Sequence, residues 1–417
     1  MPNALAVLLM PVLLLAGAAA LDGGLYALPA KAQALLPQGP YIAGAVGMAL
    51  GLWFHRARAV FALIVLAGAY WVLTVYLPGR EATGVYAAVL YPALACLVPL
   101  NIAFFSLMDE RGVFSGHGIS RLVFIAVQAL ALVMMTGQGL GFGGLPEGWR
   151  LGLEGFLNTP WLTIPGTAAT PLPENAVIVF AAAALWLSFR VLAVGGPLDG
   201  GLLVALIAAA IGFHRAGLGG DAAPWFTAAA LILLMAVMHA GYRMAFIDEL
   251  TGLPGRRALM TRMKKAGGTL TAAMVDVDHF KKFNDTHGHD VGDQVLRMVA
   301  GRLKRVSGGG KSYRYGGEEF TVLFPGKAMD DAEAHLEKLR AAIADTPFAI
   351  RTSERPKQKP KRGEKPKVKA DTARVTVSIG YADRAAIEGD MDPDALLKAA
   401  DKALYRAKDG GRNRVSG

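Results

Sequence analysis

A ladder of apolar runs fills the first 241 residues, and it restricts what this chain can fold into more than any other feature. Eight candidate spans lie near residues 3 to 21, 40 to 55, 58 to 77, 84 to 106, 120 to 141, 175 to 194, 199 to 214 and 222 to 240. Several approach the roughly 20 residues an α-helix needs to cross a bilayer core. Short segments carrying Arg, Pro, Gly or Asp separate them, the pattern of an all-α polytopic membrane bundle of about eight helices. The second and seventh runs are short, which leaves a re-entrant or interfacial course open for one of them. The first occupies the place of a secretory signal, but it lacks a basic leading segment and further spans follow, so it reads as retained. The longest connection between spans, residues 142 to 174, is rich in Gly and Pro and holds two Trp. It reads as a connector; a segment on the membrane surface or a cap over a ligand site is the alternative.

Composition agrees with this division. A hydrophobic share of 53% with 18% charged residues is too oily for an ordinary soluble chain of 417 residues. The net charge of +10 is concentrated in residues 351 to 369, which hold nine Lys or Arg against Glu354 and Glu364. A stretch so rich in Pro and Lys reads as an extended, solvated loop, with contact to anionic lipid as the sharper alternative. The basic balance is therefore local, and no nucleic acid polymer is expected as a partner. Cys96 is the single cysteine and sits in an apolar run, so neither disulfide nor zinc chemistry follows from it.

From Tyr242 onward charged residues are spread throughout, and the pattern becomes that of a soluble α/β domain, residues 242 to 417. Residues 269 to 278 read as a strand and 292 to 306 as an amphipathic helix. Residues 312 to 324 read as a hairpin about Gly316-Gly317. A helix follows, then the strand VTVSIGYAD, then a closing helix that ends on glycine. Asp276 and Asp278 end the first strand, where ligands bind in open α/β sheets. Glu318 and Glu319 add two carboxylates on a turn whose glycines let a ligand come close. Hard oxygen donors from two segments suit Mg²⁺ and phosphate, whereas an exposed acidic hairpin is the plain reading of the turn taken alone.

Five segments in chain order go further. Arg314-Tyr315-Gly316-Gly317-Glu318-Glu319-Phe320 resembles the signature of GGDEF-family diguanylate cyclases. Asp248-Glu249-Leu250-Thr251-Gly252-Leu253 is similar to the family's D-x-L-T-G-L motif, and residues 276 to 293 to its D-x-D-x-F-K-x-x-N-D stretch. VSIGYA and AKDGGRN resemble its late strand and closing segment. The resemblance implies a fold like that of nucleotide cyclases and polymerase palms, and an activity that joins two GTP into cyclic di-GMP. It implies that Asp276, the Val277 carbonyl and Glu318 hold Mg²⁺ (or Mn²⁺), with Glu319 assisting a second metal or shaping the turn. Glu318 would also accept the proton of the attacking 3′-hydroxyl, and Lys281 would steady phosphate charge. Asn284 and Asp293 would read the guanine edge beside His289, and Lys408 and Arg412 would reach the phosphates. An R-x-x-D inhibitory motif is missing, because the corresponding segment reads Arg305-Val306-Ser307-Gly308-Gly309-Gly310.

The condensation is symmetric, so two catalytic domains must meet, and a homodimer is expected. A nucleotide-using domain must face the cytoplasm, which makes the chain a multi-pass inner-membrane protein in contact with membrane lipids. Arg56, Arg58, Arg111, Arg121 and Arg190 then fall on the inner side against Lys31, Arg80, Arg150 and Arg215 outside, a weak bias. Three other classes compete: a catalytically inactive receptor for GTP or cyclic di-GMP, a related purine cyclase with a single-nucleotide product, and a transporter with a regulatory tail. Paired ionisable residues within the spans would favour the last, and apart from Arg190 the runs offer few.

Overall fold

The structure, a computed structural model, describes residues 4–24, 29–76, 86–136, 146–163, 169–350, 372–386 and 392–417. The basic stretch 351–369 lies outside the described residues. The chain forms two compact units, Met1–Gly241 and Tyr242–Gly417.

Among the described residues the first unit is helical: α1 (Ala4–Asp22), α2 (Ala30–Leu35), α3 (Gly39–Trp53), α4 (Ala57–Tyr76), α5 (Tyr91–Ser106), α6 (Gly116–Thr136), α7 (Glu147–Asn158), α8 (Glu174–Val194), α9 (Pro197–Gly217) and α10 (Ala223–Phe246). Seven helical stretches among the described residues are long and apolar enough to cross a membrane, and Leu8–Asp22 in α1 is a shorter apolar helix. The seventh run, read as short, is a helix of 21 residues, Pro197–Gly217. The second run falls on α3, which has 15 residues, and α2 with a 3₁₀ turn ahead of it extends the helical stretch to Ala30–Trp53, 24 residues. Pro40 and Pro197 are tolerated in the first turns of α3 and α9 because a first-turn N–H has no helical acceptor to lose. Within the 142–174 connection α7 forms.

Buried rings knit the bundle: Tyr70 meets Phe226 at 5.5 Å and Phe226 meets Phe213 at 5.9 Å between ring centres. The Tyr91 hydroxyl donates to the Phe213 carbonyl at 2.9 Å. Charges are paired at one end of the bundle. Asp199, in the first turn of α9, accepts from Arg190 of α8 at 2.8 Å and lies 3.5 Å from Arg58 of α4. Arg58 also donates to Glu110 at 2.8 Å. An unpaired charge in such surroundings would cost several kcal/mol or neutralise itself. These pairs were not legible in the runs because the partners come from different helices and connections.

The second unit begins with the last residues of α10 and continues through α11 (Arg256–Lys265), β1 (Leu270–Val277), α12 (Phe280–His287), α13 (His289–Leu303), β2 (Lys311–Gly316), β3 (Glu319–Pro325), α14 (Met329–Ala344), β4 (Phe348–Ala349), β5 (Thr372–Ala373), β6 (Val377–Asp383), α15 (Pro393–Asp409) and β7 (Val415–Ser416). The main sheet has the order β2-β3-β1-β6-β7, antiparallel except for β6 with β7. Alternation along β1 sends Ala273, Val275 and Val277 to a core with α13 and α14. Ala272 and Met274 face a second core with α11 and α15. Both faces are thus covered, which is why all eight residues of β1 are buried. Gly380 of β6 explains how close α15 lies: a Cβ there would stand 1.8 Å from the Leu404 backbone nitrogen.

Candidate functional site

Antiparallel register, rather than the switch-point rule for parallel sheets, gathers the carboxylates. Asp276 near the end of β1 pairs with Glu319 at the start of β3, and the β2–β3 turn places Glu318 next to it. Asp276 is 6% exposed and its Oδ1 lies 3.0 Å from Lys408 Nζ, which α15 supplies from near its C-terminal end. Burial pushes the Asp276 carboxyl above the usual range, with Lys408 and Arg412 opposing that push and Asp278 adding to it. Glu318 is raised by burial and by Asp276 and Glu319, against Lys408. Glu319 is raised by burial, Asp276 and Asp401, against Lys408 and Arg256. The three acids therefore form one strained patch of negative charge that a cation would relieve.

No group of three or more His, Cys, Asp or Glu among the described residues forms a ready metal cage. A divalent cation such as Mg²⁺ commonly takes one or two carboxylates and completes its shell with water and substrate phosphates. Asp276, the Val277 carbonyl at the end of the same strand, and Glu318 are donors of this kind. The donor set and the raised carboxyls fit a divalent cation.

Asp278 has a different task from the one its place beside Asp276 suggested. Its carboxylate accepts from Ser378 Oγ at 2.6 Å, Thr376 Oγ1 at 2.7 Å and the Asn413 backbone N–H at 3.1 Å. It thereby ties β1 to β6 and to the segment after α15. Asn413 and Arg412 there hold positive φ of 46° and 64°. The closing AKDGGRN segment is thus anchored behind the acids.

The turn itself is open. A Cβ on Gly316 or Gly317 would meet nothing within 4 Å, so neither glycine is required by internal packing. What holds the turn is Arg314, whose Nε and Nη2 donate to the Gly317 carbonyl at 3.2 and 2.7 Å. Its Nη1 donates to Asp248 at 2.8 and 2.9 Å. Asp248 also accepts from the Thr251 N–H at 2.8 Å and hydroxyl at 2.6 Å. Burial pushes its carboxyl up, but the Thr251 and Arg314 bonds outweigh that and hold it below the usual range. The sequence presented Asp248 and Arg314 as motif members only. Their pairing across 66 residues belongs to the fold. A cavity of about 240 Å³ adjoins this clamp, lined by Phe246, Gly255, Arg256, Tyr315 and the turn glycines among others.

Asn284 of α12 is partly buried, and its Oδ1 has no hydrogen-bond partner. That atom would lie 1.8 Å from a Cβ on Gly292, beside Asp293 in the first half of α13. Such an orphaned acceptor is rare unless something outside the chain satisfies it. Lys281 on α12 and His289 at the start of α13 are exposed. The structure therefore gathers Asp276, Glu318, Glu319, Lys408 and Arg412 electrostatically, and sets Asn284 against Gly292, with Asp293 next in the chain; Lys281 and His289 stand on the same helix pair without joining either set.

Residues 245–414 match the family described as "Diguanylate cyclase, GGDEF domain". The chain is 40% identical over 179 residues to the diguanylate cyclase DgcP of Pseudomonas aeruginosa, covering 41% of this chain and 24% of that protein. It is 40% identical over 182 residues to the response regulator PleD of Caulobacter vibrioides, covering 42% and 36%. With the diguanylate cyclase VdcA of Vibrio cholerae it shares 37% over 175 residues, 41% and 46% of the two chains. The chain thus spans less than half the length of each of these relatives. Among solved structures, the GGDEF domain of DgcB from Caulobacter crescentus, in complex with c-di-GMP, is 35% identical over 41% of this chain and 92% of that one, with a TM-score of 0.35. The matched region holds the acid patch, the Arg314 clamp and Asn284, and the C-terminal unit of this chain is a GGDEF domain.

Proposed function

We propose that this chain is a multi-pass membrane diguanylate cyclase that joins two GTP into cyclic di-GMP with release of two pyrophosphates, under control of its helical first unit. The observation that carries the reading is the patch of three carboxylates, each raised by burial and by its neighbours, with Lys408 in its midst. Carboxylates pushed up together are costly to keep unless charge is to be received there. A divalent cation, when bound by Asp276, Glu318 and the Val277 carbonyl, supplies charge neutralisation at the triphosphate.

The residues of the chain divide the remaining work. Asn284 Oδ1 accepts from a guanine N–H, and the Asp293 carboxylate takes a second donor of the same edge. Lys408 and Arg412 pair with phosphate oxygens, so Lys408 leaves Asp276 when substrate binds. Glu318 takes the proton of the 3′-hydroxyl. The freed oxygen attacks the α-phosphorus of the opposing nucleotide, and the bond to pyrophosphate breaks as the new one forms. Lys281, exposed on α12, is free to swing to the phosphates. Each domain presents one nucleotide, so two copies must meet face to face. The membrane portion is read from the seven long apolar helices among the described residues, and the catalytic unit is assigned to the cytoplasmic side.

The test is turnover of labelled GTP with Mg²⁺ by detergent-solubilised full-length protein beside Glu318→Ala, with products identified by mass. Cyclic di-GMP from the wild type and none from the variant supports the reading. Nucleotide binding without product from either, across detergents and lipids, replaces it with a receptor.

A further inference from the structure

Helix α7 lies in the longest connection between spans and takes no part in the chemistry. Its sequence, EGWRLGLEGFLN, sets Trp149, Leu153 and Phe156 at the i, i+4, i+7 spacing of one face, with Leu157 beside them. Glu147, Arg150, Glu154 and Asn158 fall on the other side, together with Leu151. Leu153 and Leu157 pack on Val89 just ahead of α5, on Ala93 in its first turn, and on Leu132 and Met135 at the end of α6. Trp149 and Phe156 are left outside, 75% and 59% exposed, and Trp161 and Leu162 just beyond the helix continue them at 46% and 66%.

This is a fixed surface. Buried Asn175, in the first turn of α8, donates through Nδ2 to the carbonyls of Phe156, Leu157 and Thr159 at 3.2, 3.1 and 2.9 Å, and its Oδ1 accepts the Trp161 N–H at 2.8 Å. Asn158 Nδ2 donates to the Ala88 carbonyl at 2.7 Å. The Trp161 and Phe156 rings meet at 5.3 Å. All these partners are helix ends, so α7 sits at the level where the spans stop. On α6, against which α7 packs, Leu130 and Met134 are likewise 46% and 42% exposed. Exposed Trp and Phe at that level, beside charges on the other face, match the headgroup boundary, where an amphipathic ring has one wet and one apolar side. Spans α8, α9 and α10 alternate direction, with Gly201 of α9 facing Ala236 of α10 and Gly212 facing Phe226. The α7 end of the bundle is therefore opposite the end where α10 finishes.

We propose that α7 lies in the plane of the bilayer interface, on the face opposite the end of α10, with Trp149, Phe156, Trp161 and Leu162 sunk into the boundary between headgroups and acyl chains. The proposal rests on the membrane reading given above. It is tested with nitroxide labels on the full chain in phosphatidylcholine–phosphatidylglycerol vesicles, in a Cys96→Ala background that removes the one native thiol. Labels are carried singly by Trp149→Cys, Phe156→Cys, Glu147→Cys and, in the middle of α6, Val127→Cys. The expected result is a deep, oxygen-accessible label at 127, shallow labels at 149 and 156 that lose access to a water-soluble nickel chelate, and a nickel-accessible label at 147. Labels at 149 and 156 as open to nickel as that at 147, with 127 still deep, overturn the proposal. A water-open label at 127 instead overturns the membrane reading beneath it. Spin–spin broadening at 149 that vanishes on dilution with unlabelled protein overturns it in favour of a second copy covering α7. Quenching of Trp149 fluorescence by brominated lipid, in a chain whose other five tryptophans are Phe, checks the result without labels; no quenching counts against it.

Discussion

Replacing Arg314 by lysine keeps a positive charge beside Asp248 and removes the fork that also holds Gly317. The guanidinium bridges two partners at once, Asp248 at 2.8 and 2.9 Å and the Gly317 carbonyl at 3.2 and 2.7 Å. A lysine ammonium is a single point, and it will stay with the carboxylate. Its side chain at 14% exposure and that of Asp248 at 23% place the pair where charge still counts. A hydrogen bond from a charged donor contributes about 1.5–3 kcal/mol, and the Gly317 side of the clamp is exposed, so the low end of about 1.5 kcal/mol applies. That is roughly a tenfold fall in the population of the turn that presents Glu318. We expect Arg314→Lys to lower kcat for cyclic di-GMP formation about tenfold with the KM for GTP little changed, because Asn284 and Asp293 lie on α12 and α13, away from the turn. Amide exchange at 316–318 should quicken in parallel. Arg314→Ala also strands Asp248 and should cost about 3 kcal/mol of domain stability, at the low end for breaking a buried pair. Full kcat in Arg314→Lys, or a loss confined to KM, would refute the idea that the clamp works by holding the turn.

The raised carboxyls give a signed pH dependence. Glu318 must be ionised to accept a proton, so kcat/KM should fall on the acid side, and Glu319→Gln should move that limb to lower pH by removing a negative neighbour. The same groups oppose folding once ionised: a carboxyl raised in the folded state stabilises below its unfolded pKa and loses that contribution as pH rises through the folded one. Metal-free Glu319→Gln should thus melt above the wild type at pH 7.5, with the gain gone near pH 4, the ordinary glutamate range; thermal melts across pH decide it. Divalent cation at about 100 times its Kd should stabilise the wild type by about 2.7 kcal/mol and leave Asp276→Asn unmoved, and chelator should reverse the gain. Asn284→Ala should raise the KM for GTP roughly tenfold, about 1.4 kcal/mol for one hydrogen bond, without lowering the melting temperature, since the atom removed has no partner in the free protein.

How much of this the sequence carried can be traced residue by residue. Apolar runs of bilayer length pointed to helices because a segment placed in hydrocarbon would have to satisfy its own backbone, and the composition changes near Tyr242. The apolar stretch that became β1 and the Gly-Gly between two apolar stretches likewise gave strand and hairpin from local chemistry. Asp276, Glu318 and Lys408 stood out in motifs, but only the antiparallel register and the packing of α15 on β6 bring residues 276, 318 and 408 to one point, and only that convergence raises the carboxyls. Register also parted two aspartates that read alike: Asp276 faces Glu319, while Asp278 is spent on Ser378, Thr376 and Asn413. The Arg314–Asp248 clamp, the Arg58, Arg190, Glu110 and Asp199 pairs, and the Asn175 anchor of α7 were invisible in one dimension for a shared reason. Each joins side chains whose types are ordinary where they stand, and it is tertiary packing, by removing water from around them, that makes their pairing matter.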